Sequence, residues 1–493
     1  RQMCIRDSNY TDNCDQMTAL GDFEGLLYMQ SHRSGNSAKI YQENSTWFNS
    51  SNYVSIGYLT NCSNISSSGT YYLNNSISNS GYDICFNISV SDVVLDCLGY
   101  AVQHNQTPGD GRIAVWLDDG VDNVTIRNCS FQYWSLAVQG RSPTNLLVDN
   151  VTVRDGLGDE QSYWNWGSGG VFLTDYDADY SVALDVLENV AIINSGFINC
   201  SYDGTNSGAG VWIEAGKGLN ISGNYFEDVD YGVFLLGADW VGYGVPARFE
   251  DVYVYDNVFV DSTFASAIAI QVYGNATQPS VFYYNNSISN YSYGFFISTV
   301  HNGENYSIYD NYISSCDYGI EFNSANHIRV ENNTVVDCIS YGVVMAGSSF
   351  NNTVFNNTVR DGRVTCDMLG ANSGSGYNFS GNTVRDGGRY GIWLDAGVAH
   401  YFNSVIENNV VTNISGNYGG IHLSNADYVN ISRNSVNGSV YRGIHLSGSD
   451  HNIVHSNYFT GASQEGARVD GGSDYNTLYN LSLIHISEPT RPY

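Results

Sequence analysis

From Asn224 to Phe459 the chain repeats one short phrase: an aliphatic or aromatic residue, two linking residues, Asn, one spacer, then another apolar residue. Its Asn falls at Asn224, Asn257, Asn286, Asn311, Asn333, Asn357, Asn382, Asn409, Asn434 and Asn457, at spacings of 33, 29, 25, 22, 24, 25, 27, 25 and 23. A second phrase, Gly, apolar, variable, apolar, follows most of these, as at Gly232–Leu235, Gly294–Ile297, Gly319–Phe322, Gly391–Leu394, Gly420–Leu423 and Gly443–Leu446. Two strand-like phrases per period predict a solenoid, in which each coil buries its apolar face against the next. Along each strand the alternating apolar residues face inward and the residue between them faces out. Equivalent residues of stacked coils then form columns about 4.8 Å apart. The ten Asn read as turn residues whose side chains bond backbone groups of the next coil. A second row, Asp228, Asp261, Asn290, Asp337, Asp361, Asp386 and Asn413, reads as turn chemistry too. Helical periodicity is absent, and no apolar run reaches membrane-spanning length.

Earlier coils carry a variant of the phrase, with Asn128 leading to Phe131, Asn150 to Val153 and Asn194 to Phe197. The rhythm breaks at Gly156–Tyr180, which holds Tyr163, Trp164 and Trp166, and again at Ala238–Phe249 and Gly362–Gly376. Gly156–Tyr180 is read as a long projecting loop, the kind of segment where function concentrates. Residues 9–60 lack the repeat and read as a β-rich lead-in, with strands expected at Tyr41–Phe48 and Tyr53–Leu59. The solenoid is assigned to 61–481, with 61–105 as its cap module. Residues 1–8 and 482–493 break the pattern and resemble translated sequencing-adapter read-through, so the chain is expected to be a metagenomic fragment of a longer protein.

Cys85-Phe-Asn-Ile88 and Val94–Tyr100, with Leu98 where Asn is usual, resemble the opening module of secreted β-helix proteins of uncultured archaea. The later repeats resemble the pectate-lyase-like proteins, including the NosD-type repeat group. This resemblance implies an all-β, right-handed, single-stranded parallel β-helix. That fold hosts lyases, hydrolases, epimerases and binding proteins alike, so function must be read from particular residues. The Asp-Pro-His-Asp motif of alginate epimerases and the paired Asp motifs of polygalacturonases are missing.

Charge narrows the partners. The net charge is −30 and the lysines are Lys39 and Lys217 alone. No basic footprint for nucleic acid exists, and an acidic polymer is repelled unless a metal bridges it. Asn-x-Ser/Thr triplets, acceptors for glycans outside the cytoplasm, recur at Asn64, Asn87, Asn123, Asn332, Asn356 and Asn413. They point to an extracellular or cell-surface location. Cys200, Cys316 and Cys338 share one repeat position. The last two fall in successive coils, near enough for a disulfide or for a column of buried thiols.

The variable residue of the Gly phrase carries the candidate chemistry. Its column reads Phe172, Trp212, Phe234, Ala269, Phe296, Glu321, Val344, Trp393, His422, His445 and Arg468, with Trp116 at the matching early position. Rings on an outer face suggest a glycan track; a loop or capping segment over them is the alternative. Asp118 follows Trp116, and Glu214 follows Trp212, by two residues, so each pair is a candidate sugar subsite. His422 and His445, with Asp395 and Asp470 two positions on, form a candidate general acid/base cluster or a transition-metal site. Asp175, Asp177 and Asp179 resemble half of a calcium loop, and Ca2+ is the cofactor they would take. The expected protein is a monomeric extracellular β-helix glycoprotein that binds or displays polysaccharide, as an adhesin or envelope component. The alternatives are a polysaccharide lyase, hydrolase or epimerase, and a NosD-like copper-handling protein.

Overall fold

The computed structural model describes residues 18–23, 26–30, 37–41 and 53–484, apart from 106–111, 157–168, 175–186, 201–207, 238–248, 264–265, 275–279, 301–305, 361–366, 372–373, 396–402 and 440. The described residues form a parallel β-helix. Each coil is three short strands. In one coil Val281–Tyr284 lies in sheet 1, Ser287–Ser289 in sheet 2 and Tyr293–Ser298 in sheet 3. The next coil repeats them as Tyr306–Tyr309, Tyr312–Ser314 and Tyr318–Asn323. The strands pair in parallel, Tyr283 opposite Ile308, Ile288 opposite Ile313 and Phe296 opposite Glu321. Sheets 2 and 3 have 16 strands each.

The repeated phrase bends the chain from sheet 1 into sheet 2. The left-handed residue is the one before each ladder Asn, as at Asp256, Asn285, Asp310, Asn332 and Asn356, all with φ of 53–56°. Asp and Asn tolerate that region better than other L-residues. The ladder Asn that follows turns inward. Asn333 is 0% exposed; its Nδ2 donates to Ile308 O (2.8 Å), Glu331 O (3.1 Å) and Asn357 Oδ1 (3.0 Å). Its Oδ1 accepts from the backbone N (3.0 Å) and Nδ2 (2.9 Å) of Asn311. The same donation runs coil to coil from Asn224 to Asn457. The second row also lies in the left-handed region, at Asp228, Asp261, Asn290, Asp337, Asp386 and Asn413; Asp361 lies outside the described residues. The Gly phrase is a close-approach device. A Cβ on Gly294 would sit 2.5 Å from Gly319 O and 2.8 Å from Ile313 Cγ2.

Inside the barrel the apolar columns stack. Phe197, Phe226 and Phe259 stand nearly parallel, with centroids 5.1 and 4.6 Å apart. At the N-terminal end the helix begins within the lead-in, because Tyr53–Leu59 pairs in parallel with Gly69–Leu73. Disulfides join adjacent coils at Cys62–Cys85 and Cys97–Cys129. Of the two readings open for Cys316 and Cys338, neither holds for both: Cys316, like Cys200, keeps a buried free thiol, while Cys338 is disulfide-bonded, but not to Cys316. Leu98, where Asn is usual, takes φ 51° with its side chain exposed. At the other end Ser482–Ile484 continues sheet 2 beside Tyr458–Thr460.

Candidate functional site

The outer face of sheet 3 gathers the sequence candidates into one column. In register it runs Trp116, Gln139, Phe172, Trp212, Phe234, Gln271, Phe296, Glu321, Val344, Gly370, Trp393, His422, His445 and Arg468. Gln271 takes the place assigned by spacing to Ala269. Ile270 and Val272 belong to the barrel core, so Gln271 between them faces out. The two-residue offset arises because this coil lacks the Gly phrase that would have set its register.

Much of the column is covered. Phe172, Trp212 and Phe234 form an apolar cluster apart from the barrel core, and Val344, Tyr390 and Trp393 form another. Trp212 is only 2% exposed, wedged between Phe172 (5.9 Å) and Phe234 (4.4 Å), and Glu214 beyond it is buried as well. Trp116 stays half-buried, but Arg141 lies 5.2 Å over its ring, and its Nε1 donates to Asp118 Oδ1 at 2.7 Å. Asp118 is therefore spent on the indole. Phe296 remains half-buried beside a second row of rings that the repeat phrase did not reveal. In that row Tyr293 stacks on Tyr318 at 4.5 Å and Tyr318 on Tyr341 at 5.4 Å, while Tyr293 meets Phe296 edge-on at 5.4 Å. The tyrosines lie at the strand starts, one position before the Gly, so a search keyed to the variable position passes over them.

At the C-terminal end the expected constellation is present. His422 lies opposite His445, with ring centroids 4.8 Å apart, and Trp393 precedes them in register. Asp395, Ser424, Ser447 and Asp470 line up two positions on. His445 Nε2 donates to Asp470 Oδ1 at 2.9 Å, and Arg468 Nε donates to Asp470 Oδ2 at 2.5 Å. These bonds hold the Asp470 carboxyl below its ordinary pKa. Asp395 lies opposite Ser424, one coil before His445, and it is Asp470 that meets His445. His422 (6% exposed) packs against Tyr390 at 5.1 Å and Tyr418 at 5.4 Å. Burial, then the neighbouring His445 and Arg442, push its pKa down to about 3. Burial lowers His445 too, against the pull of Asp470. Both Nδ1 atoms are buried without a partner. His445 Nε2 is taken by Asp470, so the pair presents His422 Nε2 alone, on a ring that is 6% exposed.

A transition metal would find two imidazole nitrogens here and no third donor. No three His, Cys, Asp or Glu side chains among the described residues stand close enough to share an ion. The free thiols are poor ligands, since burial pushes Cys200 and Cys316 up to about 12. The calcium candidates Asp175, Asp177 and Asp179 lie outside the described residues, as do Trp164, Trp166 and Trp240. Of the glycan acceptors, Asn64, Asn123, Asn332, Asn356 and Asn413 are exposed and Asn87 is half-buried. Asn123, Asn356 and Asn413 each spend one Nδ2 bond on the preceding coil, to Asp92, Asn332 and Asp386. No helix among the described residues is long and apolar enough to cross a membrane.

Among solved structures, the fold is similar to the A-module of the mannuronan C-5 epimerase AlgE6 of Azotobacter vinelandii (13% identity, 85% of this chain and 92% of that one, TM-score 0.33). It is similar to tailspike protein 3 of bacteriophage CBA120 (14%, 81% and 59%, 0.35). It is similar as well to the surface protein and adhesin PfbA of Streptococcus pneumoniae (12%, 80% and 92%, 0.34). No curated protein matches the sequence. The profile of the family described as periplasmic copper-binding protein (NosD) matches residues 178–383 and 372–488, more than half of the chain. By its repeats and its parallel β-helix, the chain belongs to the NosD family.

Proposed function

We propose that this β-helix works outside the cytoplasm and binds polysaccharide along the outer face of sheet 3, as an adhesin or envelope component. The observation that carries the reading is the row of rings there: Tyr293, Tyr318 and Tyr341, stacked from coil to coil, with Phe296 beside Tyr293. Sixteen strands about 4.8 Å apart make that face about 70 Å long, suited to an extended polymer. The location is supported by two disulfides between neighbouring coils, which persist in oxidising compartments, and by the periplasmic description of the family. Cell-surface display and glycosylation at the exposed acceptors belong to the same reading.

Copper handling has less support, because the described residues bring no three His, Cys, Asp or Glu side chains together and the two imidazoles present are packed among rings. The reading is tested by titrating the intact chain with a panel of polysaccharides. Binding that is lost in Phe296→Ala is expected; a chain that retains no polymer sinks the proposal. Release of reducing ends or unsaturated products would instead make the protein an enzyme.

A further inference from the structure

Several polar side chains on the outer face of sheet 3 are paired. Asp470 is held by His445 and Arg468, Glu465 by Arg442 at 3.2 Å, and the Trp116 indole by Asp118. At the C-terminal end Trp393 Nε1 and the Nδ1 atoms of His422 and His445 are buried without a partner, packed among rings. Gln271 and Glu321 lie away from that cluster. The Gln271 Oε1 is buried and has no hydrogen-bond partner. The half-buried Glu321 carboxyl has no hydrogen bond or ion pair among the described residues. Unsatisfied polar groups in a folded protein are rare enough to call for a ligand or another explanation.

The two stand in consecutive register with Phe296 between them, Gln271 opposite Phe296 and Phe296 opposite Glu321. Two coil steps of about 4.8 Å put Gln271 and Glu321 roughly 10 Å apart along the axis. That span takes one sugar ring lying on Phe296, with a hydrogen bond of about 2.8 Å at each side. Tyr293 abuts the Phe296 ring edge-on at 5.4 Å. Burial alone raises the Glu321 pKa, as expected of a carboxyl placed where water is scarce and no partner has been supplied.

Charge then selects the sugar. An ionised carboxylate only accepts hydrogen bonds, and two neighbouring sugar hydroxyls can donate to its two oxygens, each bond strengthened by the charge. Among the described residues no Arg, Lys or His side chain meets Gln271, Phe296 or Glu321, so a uronate carboxylate finds no cation in this set. The whole chain is at −30, and repulsion between like charges opposes its approach. We infer that Gln271, Phe296 and Glu321 form a saccharide subsite that reads the vicinal hydroxyls of a neutral sugar unit. The inference rests on the polysaccharide reading above and narrows it to neutral polymers.

The test titrates the full chain with neutral oligosaccharides (gluco-, manno-, galacto- and xylo-series) and, in parallel, with pectate and alginate fragments. Wild type is expected to bind at least one neutral series and neither acidic one. Glu321→Gln and Phe296→Ala should each weaken that binding about ten-fold or more. Tyr475→Ala, at an exposed turn of the last coils, should leave it unchanged. Thermal melts control for folding, and Glu321→Gln removes only an unpaired charge, so it is expected to fold. Neutral-sugar binding that ignores both Glu321→Gln and Phe296→Ala overturns the subsite while leaving the polysaccharide reading intact. A preference for pectate or alginate overturns the charge selection. Failure to bind any saccharide overturns both proposals.

Discussion

The Asn ladder makes a quantitative demand. Asn333→Ala deletes five hydrogen bonds at a fully buried site: three donated by Nδ2 and two accepted by Oδ1. Some partners are backed up. Asn311 Nδ2 still donates to Tyr283 O and Tyr309 O, and Asn357 Oδ1 still accepts from the Asn333 backbone N. The Asn311 N–H loses its acceptor outright. Orphaning a buried group costs about 1–3 kcal/mol, and each ordinary bond is worth about 1 kcal/mol net. The expected loss is therefore about 3–5 kcal/mol, much of the 5–15 kcal/mol that typically holds a domain together. Urea denaturation followed by circular dichroism would read it, with Tyr312→Thr, an exposed strand position, as a control staying within about 0.5 kcal/mol. Because neighbouring coils contact chiefly one another, the transition should also broaden or split. Faster hydrogen exchange at the Asn311 amide would locate the damage. A loss below about 1 kcal/mol with unchanged exchange at Asn311 would refute the view that these amides hold the coils together.

Other outcomes follow from single contacts. Gly294→Ala forces a Cβ against Gly319 O and Ile313 and should cost about 1–3 kcal/mol in a thermal or urea melt. Leu98→Asn relieves a left-handed leucine and should stabilise by about 0.5–1 kcal/mol, read by the same melts. His422 has a folded pKa of about 3, below its unfolded value. Its neutral burial stabilises the fold above about pH 6.5, and that contribution fades as pH falls from there towards 3. Acid melts of His422→Phe should accordingly show a flatter pH dependence, and by NMR the His422 ring should not titrate between pH 5 and 8. Glu321 has the opposite sign: its raised pKa favours the fold while protonated and opposes it once the carboxyl ionises. The melting temperature of Glu321→Gln should exceed wild type at pH 7 and converge with it in acid.

The fold was legible because its cause is periodic. The ladder Asn recur where a chain must bend and bond upward at once, and the structure places all ten in that role. The barrel core follows from the same period, as Val254 and Phe259 on either side of Asn257 show. The site was only half legible. Alternation identifies Trp212, Trp393 and His422 as outward, but it cannot say whether anything lies over them, and they are buried. Burial there depends on packing among columns, such as Tyr390 against both Trp393 and His422. Gln271 was lost because one coil dropped its Gly. The partnership of His445 with Asp470 was closer to hand, since Asp470 sits in the next coil on the same face, two residues beyond Arg468, the residue opposite His445.

The ladder amides also give the molecule a length that evolution can adjust. Each coil from Asn257 to Asn434 presents the same fittings at its two surfaces, an Oδ1 to the coil before and N–H donors to the coil after. No pairing depends on which coil supplies them. Removing residues 287–311 in frame would bring Asn286 against Asn333, with the same donors facing the same acceptor. Loss or duplication of a repeat thus changes the reach of the protein by one strand spacing, about 4.8 Å, and asks for no compensating substitution in the ladder. The solenoid is in this sense a ruler graduated in coils.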